Sequence, residues 1–75
     1  MEKYGNKNGD SGVLGFEIVN NFIQVEFSTG SIYEYTYSSA GENNIETMKN
    51  LARSGSGLNS FINTYVKFKY SRKIN

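Results

Sequence analysis

Residues 22–37 read FIQVEFSTGSIYEYTY, and residues 57–70 read GLNSFINTYVKFKY. The first stretch is two alternating segments around the turn Ser28-Thr29-Gly30, and its second arm carries the row Tyr33, Tyr35 and Tyr37. Period-two alternation on both sides of a glycine turn is the mark of a β-hairpin. The second stretch has helical spacing and runs into a basic, aromatic end, so it supplies an element able to cover the sheet.

The turn decides which way the tyrosines face. A three-residue loop with Gly30 in the left-handed conformation, followed by a bulge, pairs Val25 with Tyr33 and Ile23 with Tyr35, and turns the tyrosines inward. A two-residue Thr29-Gly30 turn pairs Glu26 with Tyr33 instead. It exposes the aromatic row and puts Ile32, Glu34 and Thr36 on the apolar face. Burying Glu34 without a partner costs several kcal/mol, which favours the first register. Glu17, Gln24, Glu26, Glu34 and Thr36 then form the solvent face.

Upstream, order is expected to begin near Val13, where Leu14, Phe16 and Ile18 alternate with Gly15, Glu17 and Val19. Asn20-Asn21 makes a two-residue turn, because Asn tolerates the positive φ of type I′ hairpins. That turn sets Ile18 opposite Ile23, Phe16 opposite Val25 and Leu14 opposite Phe27. Residues 1–12, MEKYGNKNGDSG, show no periodicity and read as a flexible leader before a single domain spanning 13–75.

Downstream, SSAGEN at 38–43 is turn material. Ile45, Met48, Leu51 and Ala52 then form one helical stripe, with Asn43 or Asn44 as N-cap and Glu46 in the first turn. The helix should stop at SGSG, residues 54–57. Leu58, Phe61, Ile62, Tyr65 and Val66 recur at the spacing of a second amphipathic helix. Residues 67–75 fit either a last helical turn or an extended segment. The expected fold is α+β: a three-stranded antiparallel meander with two helices packed on one face, in the order β-β-β-α-α. Its expected core is Phe16, Ile18, Ile23, Val25, Phe27, Tyr33, Tyr35, Met48, Leu51, Leu58, Phe61, Ile62, Tyr65 and Val66.

Composition narrows the chemistry. A chain of 75 residues holds one modest core and buries only about 60–65% of its unfolded surface. Cys and His are absent, which excludes disulfides, thiolate zinc sites and imidazole catalysis, and leaves oxygen ligands alone for any metal. No cofactor is expected. A core this small has little margin, which keeps a homo-oligomer in view. No apolar run approaches the roughly 18 residues of a membrane span, and the start lacks a secretory layout. The expectation is a soluble cytoplasmic protein with no membrane association.

All seven acidic residues lie between Glu2 and Glu46, and six of the eight bases lie between Lys49 and Lys73. The first 46 residues therefore carry about −5 and the last 29 carry +6. Bases on exposed helix ends serve solubility and oppose the helix dipole. They can also form an anion-binding surface.

The order strand, strand, glycine turn, Tyr-x-Tyr strand, helix, Gly-Ser loop and basic-ended helix resembles the KTSC domain. That short family occurs at the C-terminus of some lysyl-tRNA synthetases and as free-standing bacterial or phage proteins. The resemblance spans roughly residues 13–72. It is carried by Val25, Glu26 and Phe27, by Tyr33 and Tyr35, and by the stretch from Phe61. There Asn63, Val66, Lys67 and Tyr70 match the family's Phe-Asn-x-x-Ile-Arg-x-x-Tyr ending, with Ile62 in place of its Phe. The SGSG loop sits about two residues further from Asn63 than in the family pattern, and the proline common after the Tyr-x-Tyr strand is absent. The resemblance implies no defined reaction. The family's fusion to synthetases implies RNA binding.

The residues themselves point to binding. Lys67, Lys69, Arg72 and Lys73 interleave with Phe68 and Tyr70, the composition of a stacking surface beside a phosphate track, and Lys49 and Arg53 would extend it. Exposed Tyr37, Phe68 and Tyr70, with any uncovered strand edge, would equally suit a protein partner. The first expectation is a non-enzymatic protein-interaction module, such as a phage or mobile-element inhibitor of a host protein, or a self-associating domain. The alternative is binding of RNA or single-stranded nucleic acid through the C-terminal segment. An enzyme is not expected: Ser54, Ser56 and Ser60 have no histidine to activate them, and no carboxylate pair stands in apolar surroundings. Gly55 and Gly57 lack the preceding strand and the Gly-Lys-Ser/Thr ending of a phosphate loop, so Ser56 reads as a helix cap.

Overall fold

The alternating segments of the two hairpins build the centre of an antiparallel sheet. The computed structural model describes residues 1–7, 9 and 12–75. Strand β1 is Glu2–Lys3, β2 Val13–Val19, β3 Phe22–Phe27, β4 Ile32–Thr36 and β5 Arg72–Lys73. They lie in the order β1-β2-β3-β4-β5, each antiparallel to its neighbours. Helices α1 (Tyr37–Ala40), α2 (Glu42–Ser54) and α3 (Leu58–Phe61) follow β4, and α3 continues into a π-helical turn, Ile62–Val66. The fold is α+β.

At the tip of the second hairpin, Gly30 has φ 93°. The Gly30 N–H donates to the Phe27 carbonyl at 2.9 Å and the Phe27 N–H to the Ser31 carbonyl at 2.9 Å. These are the bonds of the three-residue loop, and they fix Val25 opposite Tyr33 and Ile23 opposite Tyr35. The tyrosines of β4 face the helices, and Tyr35 is 1% exposed.

Two expectations about strands are corrected, and one left open is resolved. Leu14 does not face Phe27: a bulge between Val13 and Gly15 makes it the extra residue, so Val13 takes the inward place opposite Phe27 and Leu14 turns to solvent. Secondly, the sheet has five strands rather than three. The segment read as a leader supplies β1 and the core residue Tyr4, whose N–H donates to the Leu14 carbonyl at 2.9 Å. Positions 8, 10 and 11 of that segment lie outside the described residues. A Cβ on Gly15 would stand 2.8 Å from the Glu2 carbonyl oxygen, so a glycine there lets β1 lie alongside. Thirdly, residues after 70 are extended: β5 pairs Lys73 with Tyr33 and Arg72 with Glu34.

The helical part also departs from expectation. SSAGEN is not simply a turn, because Thr36 and Ser39 form a reciprocal capping box that starts α1. Gly41, not Asn43 or Asn44, precedes α2, and Ser56 does not cap α3. Helix α2 does end at Gly55, as the SGSG run implied. Its Ile45, Met48 and Ala52 pack with Leu58, Ile62 and Val66 onto Phe16, Ile23, Val25 and Tyr35. Burying each large apolar side chain stabilises by about 1.5–3 kcal/mol. Ile18, Phe27, Tyr33, Leu51 and Phe61 border this core and are partly buried. Tyr65 is no core residue: the wider π-helical turn keeps residues four apart in register and rotates Tyr65 out to 59% exposure.

Candidate functional site

Where the tip of the β3–β4 hairpin meets the end of the helical segment, the surface opens into a pocket of about 350 Å³. Phe27, Ser28 and Thr29 come from the hairpin tip, Tyr33 and Tyr35 from β4, and Ile62 and Asn63 from the π-helical turn. Lys67, Phe68 and Tyr70 follow on the connection to β5, and Gly12 closes one side. Pairing of β5 with β4 brings the chain back over the sheet, and this return places Tyr70 against the tyrosine row.

The rings form one cluster. Tyr70 lies 4.6 Å from Tyr33 between centroids and 6.4 Å from Tyr35, edge-on to the latter, and Phe27 meets Tyr33 edge-on at 5.9 Å. Burial first, then the neighbouring Tyr33 and Tyr70, pushes the Tyr35 phenol up to about 12. It therefore remains a neutral hydroxyl at physiological pH. Two cations attend the rings: Lys67 Nζ stands 5.4 Å from the Phe68 centroid and Lys73 Nζ 6.0 Å from that of Tyr33. Phe68 itself is 80% exposed. Among the described residues, none of the side chains lining the pocket is acidic. Flat π-faces, a carboxamide, hydroxyls and ammonium groups suit a planar ligand that carries negative charge.

The proposed basic track is divided by the fold. Lys67, Phe68 and Tyr70 line the pocket, and Lys73 stands over Tyr33. Arg72, one residue away on a strand, points to the other face and pairs with Glu34 at 3.3 Å. Lys69 is exposed beside the pocket residues. Lys49 does not extend this surface. It is 5% exposed, and its ammonium donates to the Asn20 carbonyl at 2.7 Å, in the β2–β3 turn, and pairs with Glu46 at 2.9 Å. Asn20 and the pocket residue Phe27 lie at opposite ends of the β2–β3–β4 meander. Arg53 is exposed in the last turn of α2, one turn on from Lys49.

Ser28, Thr29 and Asn63 enter the site without having been foreseen as site residues, and Tyr33 and Tyr35 act as both scaffold and lining. The signal for this was the alternation of base and aromatic in KFKYSRK, which reads as an extended return as readily as a helix. Alternation along β4 puts Glu34 on the face expected to meet solvent, yet it is 8% exposed. Strand β5 makes β4 an inner strand, and Arg72, Ser71 and Gln24 cover the carboxylate. Among the described residues no group of three or more carboxylates converges to hold a metal, and no helix is long and apolar enough to cross a membrane. No protein-family model, curated protein or solved structure matches the chain, so the ground for its function is the chemistry of this pocket.

Proposed function

We propose that the protein is a non-enzymatic binding module for single-stranded nucleic acid, RNA in particular. A base stacks in the tyrosine pocket and the flanking phosphates meet Lys67 and Lys73. The observation that carries this is the return of Tyr70 onto Tyr33, which joins an open aromatic surface to both lysines. Stacking on aromatic rings contributes roughly 1–3 kcal/mol per base and tolerates any sequence. The likeness of the C-terminal stretch to the KTSC pattern supports RNA as the ligand, and the setting we propose is the cytoplasm.

Fluorescence anisotropy with labelled oligouridylate and oligoadenylate at two salt concentrations tests this. Two phosphate contacts give a slope of log K against log salt of about −1.4 for a single strand, and Lys67→Ala or Lys73→Ala removes about half of it. Tyr70→Ala should cost roughly 1–3 kcal/mol of affinity. Absence of binding at the lower salt ends the reading.

A second reading, a protein partner or self-association, is favoured by one observation: Phe68 and Tyr65 are 80% and 59% exposed. Edge pairing is a poor route to it, since both edge strands are two residues long and rich in charge. Salt-insensitive capture of a partner that Phe68→Ala abolishes, or a dimer mass by light scattering, would favour this reading over nucleic acid.

A further inference from the structure

Strand β4 divides two environments. Tyr33 and Tyr35 line the pocket, and Glu34 between them points to the opposite face of the sheet. Glu34 is nevertheless buried, and its carboxylate is fully engaged. Oε1 accepts from Gln24 Nε2 at 3.1 Å and Arg72 Nη2 at 3.3 Å, and Oε2 accepts from Ser71 Oγ at 3.2 Å. The Glu34 carbonyl accepts the Ser71 N–H at 2.6 Å and the Ser71 hydroxyl at 3.1 Å. Most of these donors belong to the two residues that follow Tyr70.

After Tyr70, residues 71–75 have no buried side chain to hold them. Its other ties are backbone bonds of Ile74 and Asn75 to Ile32, and the Asn75 carboxamide on the Gly30 carbonyl at 3.0 Å. Apart from the Tyr70 ring, which packs on Tyr33 and Tyr35, hydrophobic burial contributes little to where this strap lies, and polar bonds to β4 set the position of residues 71–75. Those made to a buried ionised carboxylate are the strong ones, and a carboxylate can only accept.

We infer that Glu34 is a positioning residue for the pocket: from the far face of the sheet it seats Ser71 and Arg72, and thereby holds Tyr70 against Tyr33. The inference rests on the pocket being the binding site. Because strap docking completes the pocket, ligand and strap stabilise each other reciprocally.

The test is a double-mutant cycle of Glu34→Gln and Tyr70→Ala, read by anisotropy with labelled oligouridylate, with amide exchange at Ser71 and Ile74 followed by NMR. Glu34→Gln should weaken binding by about tenfold in the wild-type background and by less than about twofold beside Tyr70→Ala. It should also speed exchange at Ser71 and Ile74 relative to Val25. The variant Ser71→Ala/Arg72→Ala, altered only at exposed positions, should reproduce both effects with the core intact. An equal loss of affinity in both backgrounds overturns the inference, because that is what general destabilisation produces. Unchanged exchange at Ser71 and Ile74 overturns it as well. If the wild-type protein binds no oligonucleotide, the proposed function falls, and the exchange measurement alone decides whether Glu34 seats the strap.

Discussion

The backbone N–H of Leu58 donates to the hydroxyl of Tyr4 at 3.2 Å, across 54 positions of sequence. Helix α3 begins after Gly57, with no side-chain cap of its own. A helix start leaves N–H groups that must find acceptors elsewhere, and Leu58 is fully buried, out of reach of water. Tyr4 answers that need from the end of β1, and its ring fills the core beside Val13 and Phe16. Tyr4→Phe should lower stability by about 1–3 kcal/mol, because the ring stays and a buried donor is orphaned. Tyr4→Ala should cost about 3–5 kcal/mol. Urea midpoints measure both, and a silent Tyr4→Ala would return residues 1–7 to the status of a leader.

Lys49 gives a second prediction, because burial changes what this cation is for. Its ammonium joins α2 to the β2–β3 turn through Asn20, meets Glu46 on its own helix and stands 5.5 Å from the Tyr37 ring centroid. Lys49→Ala leaves the Asn20 carbonyl without its donor and opens space beside the helix. The expected loss is about 1–3 kcal/mol by urea unfolding. Affinity for oligonucleotides, measured well below the unfolding midpoint, should not change, since Lys49 lies far from Lys67 and Tyr70. A large loss of affinity with unchanged stability would restore Lys49 to a binding surface.

These two residues show what was legible in the sequence. The registers next to the turns were, because Gly30 demands a particular turn and the apolar pattern agrees with it; the Asn20-Asn21 turn keeps its expected pairs without the positive φ expected of it, and the bulge at Leu14 breaks the first register further out. The helical stripe of α2 was legible for the same reason, its period being long and regular. Tyr4 was not, because a single aromatic in MEKYG has no periodicity to announce it. Nor was β5, whose side chains are all exposed and whose register is set by bonds to Glu34 and Ile32 rather than by hydrophobicity. Lys49 sits on the inner stripe next to Met48, and only its charge suggested a surface. The candidate site was half legible for this reason: Asn63, Lys67, Phe68 and Tyr70 stand close in sequence, whereas Phe27 and Tyr33 meet them only through the return of the chain to β4.

Phe68 separates stability from binding more cleanly than any other pocket residue. At 80% exposure it buries little, so Phe68→Ala should leave the unfolding free energy from urea titration within about 0.5 kcal/mol of wild type. If a base stacks at the pocket mouth, the same substitution should weaken oligonucleotide binding by roughly 1–3 kcal/mol, while Phe68→Tyr restores it. Wild-type affinity in Phe68→Ala would confine the stacking surface to Tyr33 and Tyr70.

The last prediction concerns alkaline pH. The Tyr37 hydroxyl donates to Glu46 Oε2 at 2.6 Å, and this hydrogen bond, followed by desolvation and the charges of Glu46 and Glu42, pushes its pKa up to about 12. The same bond, with that from Lys49, holds the Glu46 carboxyl below its ordinary value. A phenol whose folded pKa lies above its unfolded value binds its proton more tightly in the native state. Its contribution is therefore complete below pH 10 and is lost as pH rises from 10 through about 12. Tyr35, raised to about 12 chiefly by burial, acts in the same window and the same direction. Urea midpoints should fall as pH climbs through this range. Tyr37→Phe has no proton to lose and should flatten part of the fall while lowering stability at neutral pH. The tyrosinate absorbance should show a late component near pH 12 that is reduced in Tyr37→Phe. A fall between pH 10 and about 12 that Tyr37→Phe leaves unchanged would mean that Tyr37 is free of Glu46 in solution.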